Sequence, residues 1–337
     1  MILASACSSA DPVANLQLAL GVELAVLPPY LYALWSIRPA AEGASVAAVE
    51  ATASLRNVIY GEMLHIAAVC NVLNSLGTTP DFARYLMRYP SPLPGHVTRG
   101  RYAFRVGLAS LSARSLDTFL KIERPQFDAP DLPGPHDQPW ITLGAFYQSV
   151  IDQLKRLPAS AFGKGAQMPA RENPAPGRLP AVVDAASAAL ALAVVIDQGE
   201  GHKPPKPSAG DADNSFELDD DHEVAHYYQF QTLAGYFAAR QIRPATDLFP
   251  LVSDPNAQHF SPAQQAANQA FNRRYSELID SLQASFASPT PTAFGAPSAL
   301  MRALTHAAAV LRQAGDVPGT RRMAGPTFEY LPTSGRH

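Results

Sequence analysis

Two Glu-x-x-His motifs, each followed or preceded by apolar residues at helical spacing, constrain this chain more than any other feature of its sequence. The first motif runs from Glu62 to His65 and the second from Glu223 to His226. Residues three apart lie on one face of a helix, about one turn from each other, so a carboxylate and an imidazole at this spacing can reach the same metal ion. The motifs therefore predict two helices that each direct a ligand pair into a shared interior.

Each motif is preceded along the chain by a helical pattern with one glutamate on its apolar face. Glu23 is the only charged residue between Asp11 and Arg38, and Glu200 ends an Ala-rich stretch with almost no charge. An ionised carboxylate in a protein core costs several kcal/mol unless it is paired or bound to metal. Four buried glutamates and two histidines therefore indicate a shared partner, and separate buried polar networks without metal are the alternative interpretation.

This inventory matches a carboxylate-bridged di-metal site in a four-helix bundle, in which two helices give one Glu each and two give Glu-x-x-His. Carboxylate oxygen with a minority of imidazole nitrogen suits iron or manganese. We therefore expect a di-iron centre, with manganese and a single metal ion as open alternatives. The six predicted ligands on these four helices are Glu23, Glu62, His65, Glu200, Glu223 and His226.

Glu123 is a seventh predicted ligand, or a replacement for Glu200. It faces inward with its apolar neighbours and lies in the last turn of its predicted helix, just before Pro125. A carboxylate is disfavoured at a helix C-terminus by the helix dipole, which indicates that a cation holds it there. We expect Glu200 to bind metal and Glu123 to be an additional ligand or a near neighbour of the site. An ion pair with Arg124 or Arg114 is the alternative.

The remaining sequence predicts an all-α fold, because prolines separate successive helical patterns and no convincing strand or fixed-period repeat is present. The chain contains 31 prolines in 337 residues. The predicted helices cover residues 11–38, 45–76, 98–125, 140–157, 181–200, 221–242, 261–286 and 297–314. We expect one domain over residues 1–337, with a bundle core at about 11–242, C-terminal helices at about 261–314 packed on it, and an extended tail at 315–337.

Composition and charge exclude several classes of partner. The net charge of −3 argues against nucleic acid, which requires a basic face. The first helix is long enough to cross a membrane, but Asn15, Gln17 and Glu23 favour a buried helix instead. The two cysteines form no disulfide framework, and no signal peptide is recognisable, so a cytoplasmic location is expected.

Several runs of the chain resemble the ferritin-like domain of iminophenyl-pyruvate dimer synthases of bisindole pigment biosynthesis and of shorter stand-alone bacterial relatives. The matching runs are LQLALGVELAVLPPYLYAL (16–34), GEMLHIAAVCNVLNSLG (61–77), FLKIERP (119–125), QGEG (198–201), HYYQF (226–230), FNRRYSELIDSL (271–282) and GPTFEYLP (325–332). The resemblance implies a ferritin-like four-helix bundle, a non-haem iron site and oxidative chemistry on a small substrate derived from an amino acid.

The resemblance thus predicts a di-iron oxidase or oxygenase that uses O2 on an imine or amine in secondary metabolism. The full-length synthases couple two imines oxidatively and carry large regions that have no counterpart in this sequence, so the coupling reaction and the substrate do not follow from the metal site. The expected partners are O2 and a small molecule, and a homodimer is left open. A ferritin-like iron-handling ferroxidase and a metal-free binding scaffold are the alternative functions.

Overall fold

The computed structural model describes residues 3–4, 10–96, 103–125, 140–168, 179–200, 224–289 and 295–332. Apart from one antiparallel pair of two-residue strands, Leu3–Ala4 with Trp140–Ile141, the regular structure of these residues is helical, as predicted. Short 3-10 turns occur at Ala40–Glu42, Ala159–Ala161 and Ala257–His259. The α-helices among the described residues are α1 Pro12–Trp35, α2 Val46–Ser75, α3 Ala113–Ile122, α4 Leu143–Leu154, α5 Ala185–Gly199, α6 His226–Ala238, α7 Pro244–Asp247, α8 Pro262–Ala287 and α9 Gly295–Gln313.

The two long N-terminal helices begin within one residue of their predicted starts. The side chain of Asp11 accepts a hydrogen bond from the Val13 amide, and Pro12 occupies the first turn of α1, where its missing N–H costs nothing. Ser45 caps α2 in the same way, and Gly77 follows the end of α2 with a φ of 79°. Both helices are therefore fixed by local sequence as well as by packing.

Four helices form a closed ring around the core: α1 packs on α2, α2 on α5, α5 on α4, and α4 back on α1. The sequence-based assignment of the fourth bundle helix is wrong in this respect, because it used the helix that contains His226. That helix, α6, instead packs mainly on α3 and makes smaller contacts with α2 and α5. The α3–α6 pair therefore lies beside the ring and brings residues from outside the bundle to it.

The two predicted helix starts that differ most from the structure are those of the third helix and of the helix that contains His226. The third helix begins at Ala113 and not at 98, because Ser112 and Ser115 form a capping box that ends the extended segment before it. Within that segment, Val106 forms an isolated bridge with Ser91. The second Glu-x-x-His motif is likewise not within one helix: α6 begins at His226, after an extended Ala225.

The C-terminal helices pack on the bundle through α8 and α9, which contact α2 and α1 respectively. The tail after α9 returns along α8, where Asn268 and Asn272 donate hydrogen bonds to Thr327. The next residue, Phe328, stacks on Trp35 of α1 with a ring separation of 5.7 Å. These contacts place α8, α9 and the tail against the bundle. The extent of the single domain stays a prediction.

Among the described residues, α1 is the one helix that is long and apolar enough to cross a membrane. In the fold, 83% of the most apolar 18-residue segment of α1 is buried. Burial within the bundle explains the apolar composition of α1, since a helix that is apolar on all sides must be covered on all sides.

Candidate metal centre

The middle of α2 places Glu62 and His65 beside Glu23 of α1, deep in the bundle. The Nδ1 atom of His65 lies 3.4 Å from a carboxylate oxygen of Glu23 and 3.4 Å from one of Glu62. Each of these side chains is at most 2% exposed. Helical spacing accounts for the arrangement, since Glu62 and His65 lie one turn apart on the face of α2 that packs on α1.

The α3–α6 pair adds Glu123 and His226 to the same cluster. Glu123 is the C-cap of α3 and His226 is the first residue of α6, so two helix ends meet at the site. His226 Nδ1 lies 3.0 Å from Glu62 Oε1 and 4.0 Å from Glu123 Oε2. The ring centroids of His65 and His226 are 5.2 Å apart. Glu62 therefore lies between the two imidazoles.

Two buried tyrosines hold the outer carboxylates in place. The hydroxyl of Tyr147, on α4, donates a hydrogen bond of 2.5 Å to Glu23, and the hydroxyl of Tyr30, on α1, donates one of 2.5 Å to Glu123. Burial raises the pKa of both hydroxyls well above the usual value, and the neighbouring carboxylates raise it further. Both tyrosines therefore remain protonated donors at neutral pH.

Glu200 lines the same small cavity as Glu23, Glu62, His65 and Glu123, which has a volume of about 10 Å³. It is the C-cap of α5 and is 5% exposed. The backbone N–H of Gly144 at the start of α4 donates a hydrogen bond of 2.7 Å to its carboxylate. The remainder of this cavity is mostly apolar, so the cluster lies in a part of the core that is shielded from bulk water.

Charges of the central groups depend on one another. Burial would raise the pKa of Glu62, but the imidazoles of His226 and His65 lower it well below the usual range. Burial would lower the pKa of His65, but the carboxylates of Glu23 and Glu62 raise it to about 10. Burial lowers the pKa of His226. Without a metal ion, the cluster thus centres on an ionised Glu62 and a protonated His65.

The pKa values of the outer carboxylates, Glu23 and Glu123, are raised, whereas that of the central Glu62 is lowered. Burial, with the charge of Glu62 as a further contribution, raises the pKa of Glu23 to about 7 and that of Glu123 to about 8. A raised carboxyl pKa at a buried site indicates that the fold does not itself supply enough positive charge. A bound cation would supply it.

The donor atoms fit a metal ion. One ligand atom from each of Glu62, His65 and His226 lies within 4.8 Å of the other two. Among the described residues, Nε2 of His65 and Nδ1 of His226 are buried without a hydrogen-bond partner. Nδ1 of His226 lies 3.0 Å from Glu62 but off the hydrogen-bonding direction. Imidazole and carboxylate donors of this kind suit iron or manganese.

Comparison with known proteins agrees with this fold. The ferritin-like family model matches residues 16–235. The chain belongs to the ferritin-like family. The structure is similar to the crystal structure of a ferritin-like protein from Caulobacter vibrioides, with a TM-score of 0.65 and 21% sequence identity. The superposition covers 91% of this chain and 96% of the Caulobacter chain. At this identity the likeness supports the fold alone.

The present chain is also similar to 2-imino-3-(indol-3-yl)propanoate dimerase of Chromobacterium violaceum, with 28% identity over 222 residues. The match covers 58% of this chain and 21% of the dimerase. The chain thus spans about a fifth of the length of this curated relative. The predicted resemblance to the ferritin-like domain of such enzymes is confirmed at the level of the family.

The structure brings six of the seven predicted ligands to one place: Glu23, Glu62, His65, Glu123, Glu200 and His226. The seventh, Glu223, lies outside the described residues. Glu223 is paired with His226 in the sequence analysis because of helical spacing. That argument does not apply, because α6 begins only at His226. The ion pair considered for Glu123 is not found among the described residues, where Glu123 accepts a hydrogen bond from Tyr30 and lies 4.0 Å from His226.

Sequence reasoning missed Tyr147, Gly144 and Gly61. Tyr147 lies in an apolar helical pattern in which a tyrosine that packs and a tyrosine that donates a hydrogen bond look the same. The two glycines permit close approach: a Cβ on Gly144 would lie 2.5 Å from Glu200 Oε2, and one on Gly61 would lie 2.3 Å from His226 Nε2. A glycine in the middle or first turn of a helix can indicate that another group approaches the backbone closely. The sequence alone does not identify which side chain that group is.

Proposed function

We propose that this protein is an iron-dependent oxidoreductase, with a centre that preferentially holds two iron ions. The observation that carries the proposal is the position of Glu62, whose two carboxylate oxygens lie 3.4 Å from His65 Nδ1 and 3.0 Å from His226 Nδ1. A buried carboxylate in contact with two imidazoles would supply oxygen ligands and negative charge to metal ions that both histidines hold. Glu23 and Glu123 would complete the two ends, and Glu200 would add a ligand or a charge.

Iron bound at this place would supply redox chemistry with O2 as the electron acceptor. The role of the chain is to hold the ligands and to exclude water. Tyr147 and Tyr30 fix one oxygen of Glu23 and of Glu123, which leaves the other oxygen of each for the metal. Val22 and Leu143 belong to the apolar wall that keeps bulk water from the carboxylates.

For the substrate, we propose a small imine or amine derived from an amino acid. Support comes from the name of the similar dimerase, which acts on an indolyl imino acid. Since this chain matches only 21% of that enzyme, the proposal concerns the substrate class and does not include dimerisation.

A ferroxidase that handles iron without an organic substrate is the second candidate. The small volume at the cluster favours it, since about 10 Å³ accommodates roughly one water molecule and no organic ring. Under the first proposal, an organic substrate would therefore react at the edge of the cluster or after side chains move.

Metal analysis, size determination and O2 consumption on the purified protein test these proposals together. We expect about one to two equivalents of iron per chain, as a bundle with this ligand set would hold. Imines generated in place by an amino-acid oxidase should give a product, identified by mass spectrometry, that is absent with His65→Ala protein. Iron-dependent O2 consumption in a large assembly, without such a product, would instead support iron handling. A metal content near zero after reconstitution with iron would refute both.

A further inference from the structure

A second cavity lies on the face of α1 opposite the carboxylate cluster. It has a volume of about 40 Å³ and is enclosed by α1, α2, α8 and α9. Its walls include Leu24 and Leu27 of α1, Met63 of α2, Leu278 of α8 and Met301 of α9. Roughly 10–15 Å³ is needed for one water molecule, so the space would hold a group of several atoms. Apolar cavities stay dry, and an engineered one of about 150 Å³ binds benzene or xenon, so a ring can enter the present cavity only if side chains of its wall move.

One wall of this cavity carries an unsatisfied donor. Trp35 lines the cavity and is 8% exposed, and its indole N–H is buried without a hydrogen-bond partner among the described residues. Leaving a buried donor unpaired costs about 1–3 kcal/mol. A bound molecule with one acceptor atom, or with a π-face near this N–H, would recover part of that cost.

The walls combine a rigid side with an adaptable one. Phe328 of the C-terminal tail stacks parallel to Trp35, at 5.7 Å, and meets the edge of Tyr275, at 5.4 Å. This aromatic group fixes the Trp35 side. Met63 and Met301 are on other walls, and methionine side chains adapt to ligands of different shape because they are unbranched and polarizable.

We propose that this cavity is a binding site for a small apolar molecule of about one aromatic ring, with at most one hydrogen-bond acceptor. The site is separate from the metal centre and uses none of its ligands. Methionine movement provides the additional room that a ring requires. Binding is therefore expected in metal-free and in iron-loaded protein alike, so its failure would leave the proposed iron chemistry untouched.

Trp35 serves as the reporter, because the chain contains only two tryptophans and Trp140→Phe removes the other. In this background, bromobenzene is titrated into metal-free and iron-loaded protein. A bromine atom in contact with an indole quenches its emission, so we expect saturable quenching of Trp35. Toluene should raise the melting temperature in parallel, since a ligand that binds only the native state stabilises it.

Cavity-filling variants identify the site. Leu278→Phe and Leu24→Phe should weaken the binding of bromobenzene by about tenfold or more. Leu190→Phe is the matched control, because Leu190 is 64% exposed and lies away from the cavity, and it should bind like the parent. Quenching that does not saturate in the parent protein, or equal affinity in parent and Leu278→Phe, would overturn the proposal.

An enlarging variant covers the case in which both filling variants unfold. Met301→Ala should admit naphthalene, a larger ring system, with saturable quenching that the parent protein lacks. If circular dichroism shows a folded Met301→Ala protein without such binding, the cavity is a packing defect and the proposal is wrong.

Discussion

The imidazole of His226 lies directly against Gly61, so that a Cβ on Gly61 would lie 2.3 Å from His226 Nε2. Gly61 immediately precedes Glu62 on α2, and its missing side chain lets the ring from α6 reach the central carboxylate. Glycine inside a helix costs about 0.5–1 kcal/mol relative to alanine. Glycine at position 61 therefore destabilises α2 slightly but lets α6, which is far away in the chain, approach α2 closely.

Gly61→Ala should lower metal affinity by about tenfold or more while the helical fold persists, because the added methyl group displaces His226 from Glu62. Gly235→Ala is the control: it lies on the same helix as His226, and a Cβ there meets nothing within 4 Å. Iron per chain and circular dichroism are the measurements. Equal iron content in the two variants would show that His226 does not need its present position.

His65→Ala and His226→Ala should each reduce bound iron and abolish iron-dependent O2 consumption. Removing one ligand from a preformed bundle lowers metal affinity more than it disturbs packing. His259→Ala is the control, since His259 is exposed and lies outside the cluster. If both variants retain iron and activity at the control level, the cluster is not the metal site.

Much of this arrangement follows from local sequence, and the exceptions have a physical reason. The positions of Glu62 and His65 follow from helical spacing, and the start of α1 follows from Asp11 and Pro12. The fourth bundle helix could not be assigned in this way, because α4 and α6 both have apolar faces and only tertiary packing selects α4. Likewise, Tyr147 reaches Glu23 from 124 residues away in the chain, and no local pattern encodes that contact.

Tyr147→Phe should destabilise the metal-free protein by about 1–3 kcal/mol, because Glu23 loses a buried hydrogen-bond donor. The ring volume is kept, so packing changes little. Chemical denaturation of metal-free and iron-loaded protein measures the effect. Tyr60→Phe is the control, since Tyr60 is 42% exposed. No difference between the two variants would show that the hydrogen bond contributes nothing to holding Glu23.

The metal-free protein should lose stability as the pH rises from about 5 to about 9. The pKa of Glu23 is raised from 4.5 to about 7 and that of Glu123 to about 8, so the folded state keeps protons that the unfolded state releases. The pKa of His65 is raised from 6.5 to about 10, and its contribution is lost between these two values. These three effects have the same sign, because the unfolded state binds fewer protons at all three groups. The lowered pKa of His226 has the opposite sign below its ordinary value of 6.5, but it is one group against the two glutamates, so a net loss of stability is expected.

Melting temperatures of metal-free protein across this pH range measure the effect, and Glu123→Gln is the matched variant. With one titrating group removed, its melting temperature should fall less steeply with pH than that of the parent. Iron affinity should rise with pH, because the metal displaces protons from the same groups. A parent protein whose metal-free form gains stability between pH 6 and 8 would contradict the assigned protonation states.

Glu123→Gln and Glu200→Gln compare the two glutamates whose roles the sequence leaves open. Glu123 Oε2 lies 4.0 Å from His226 Nδ1, whereas one oxygen of Glu200 already accepts a hydrogen bond of 2.7 Å from Gly144. We therefore expect both variants to lose iron affinity and Glu123→Gln to lose more. Glu277→Gln, at an exposed position, is the control. If Glu200→Gln alone lowers the iron content, α5 supplies the ligand and Glu123 is only a neighbour; if Glu123→Gln alone does, the α3–α6 pair completes the site and Glu200 instead fixes the start of α4.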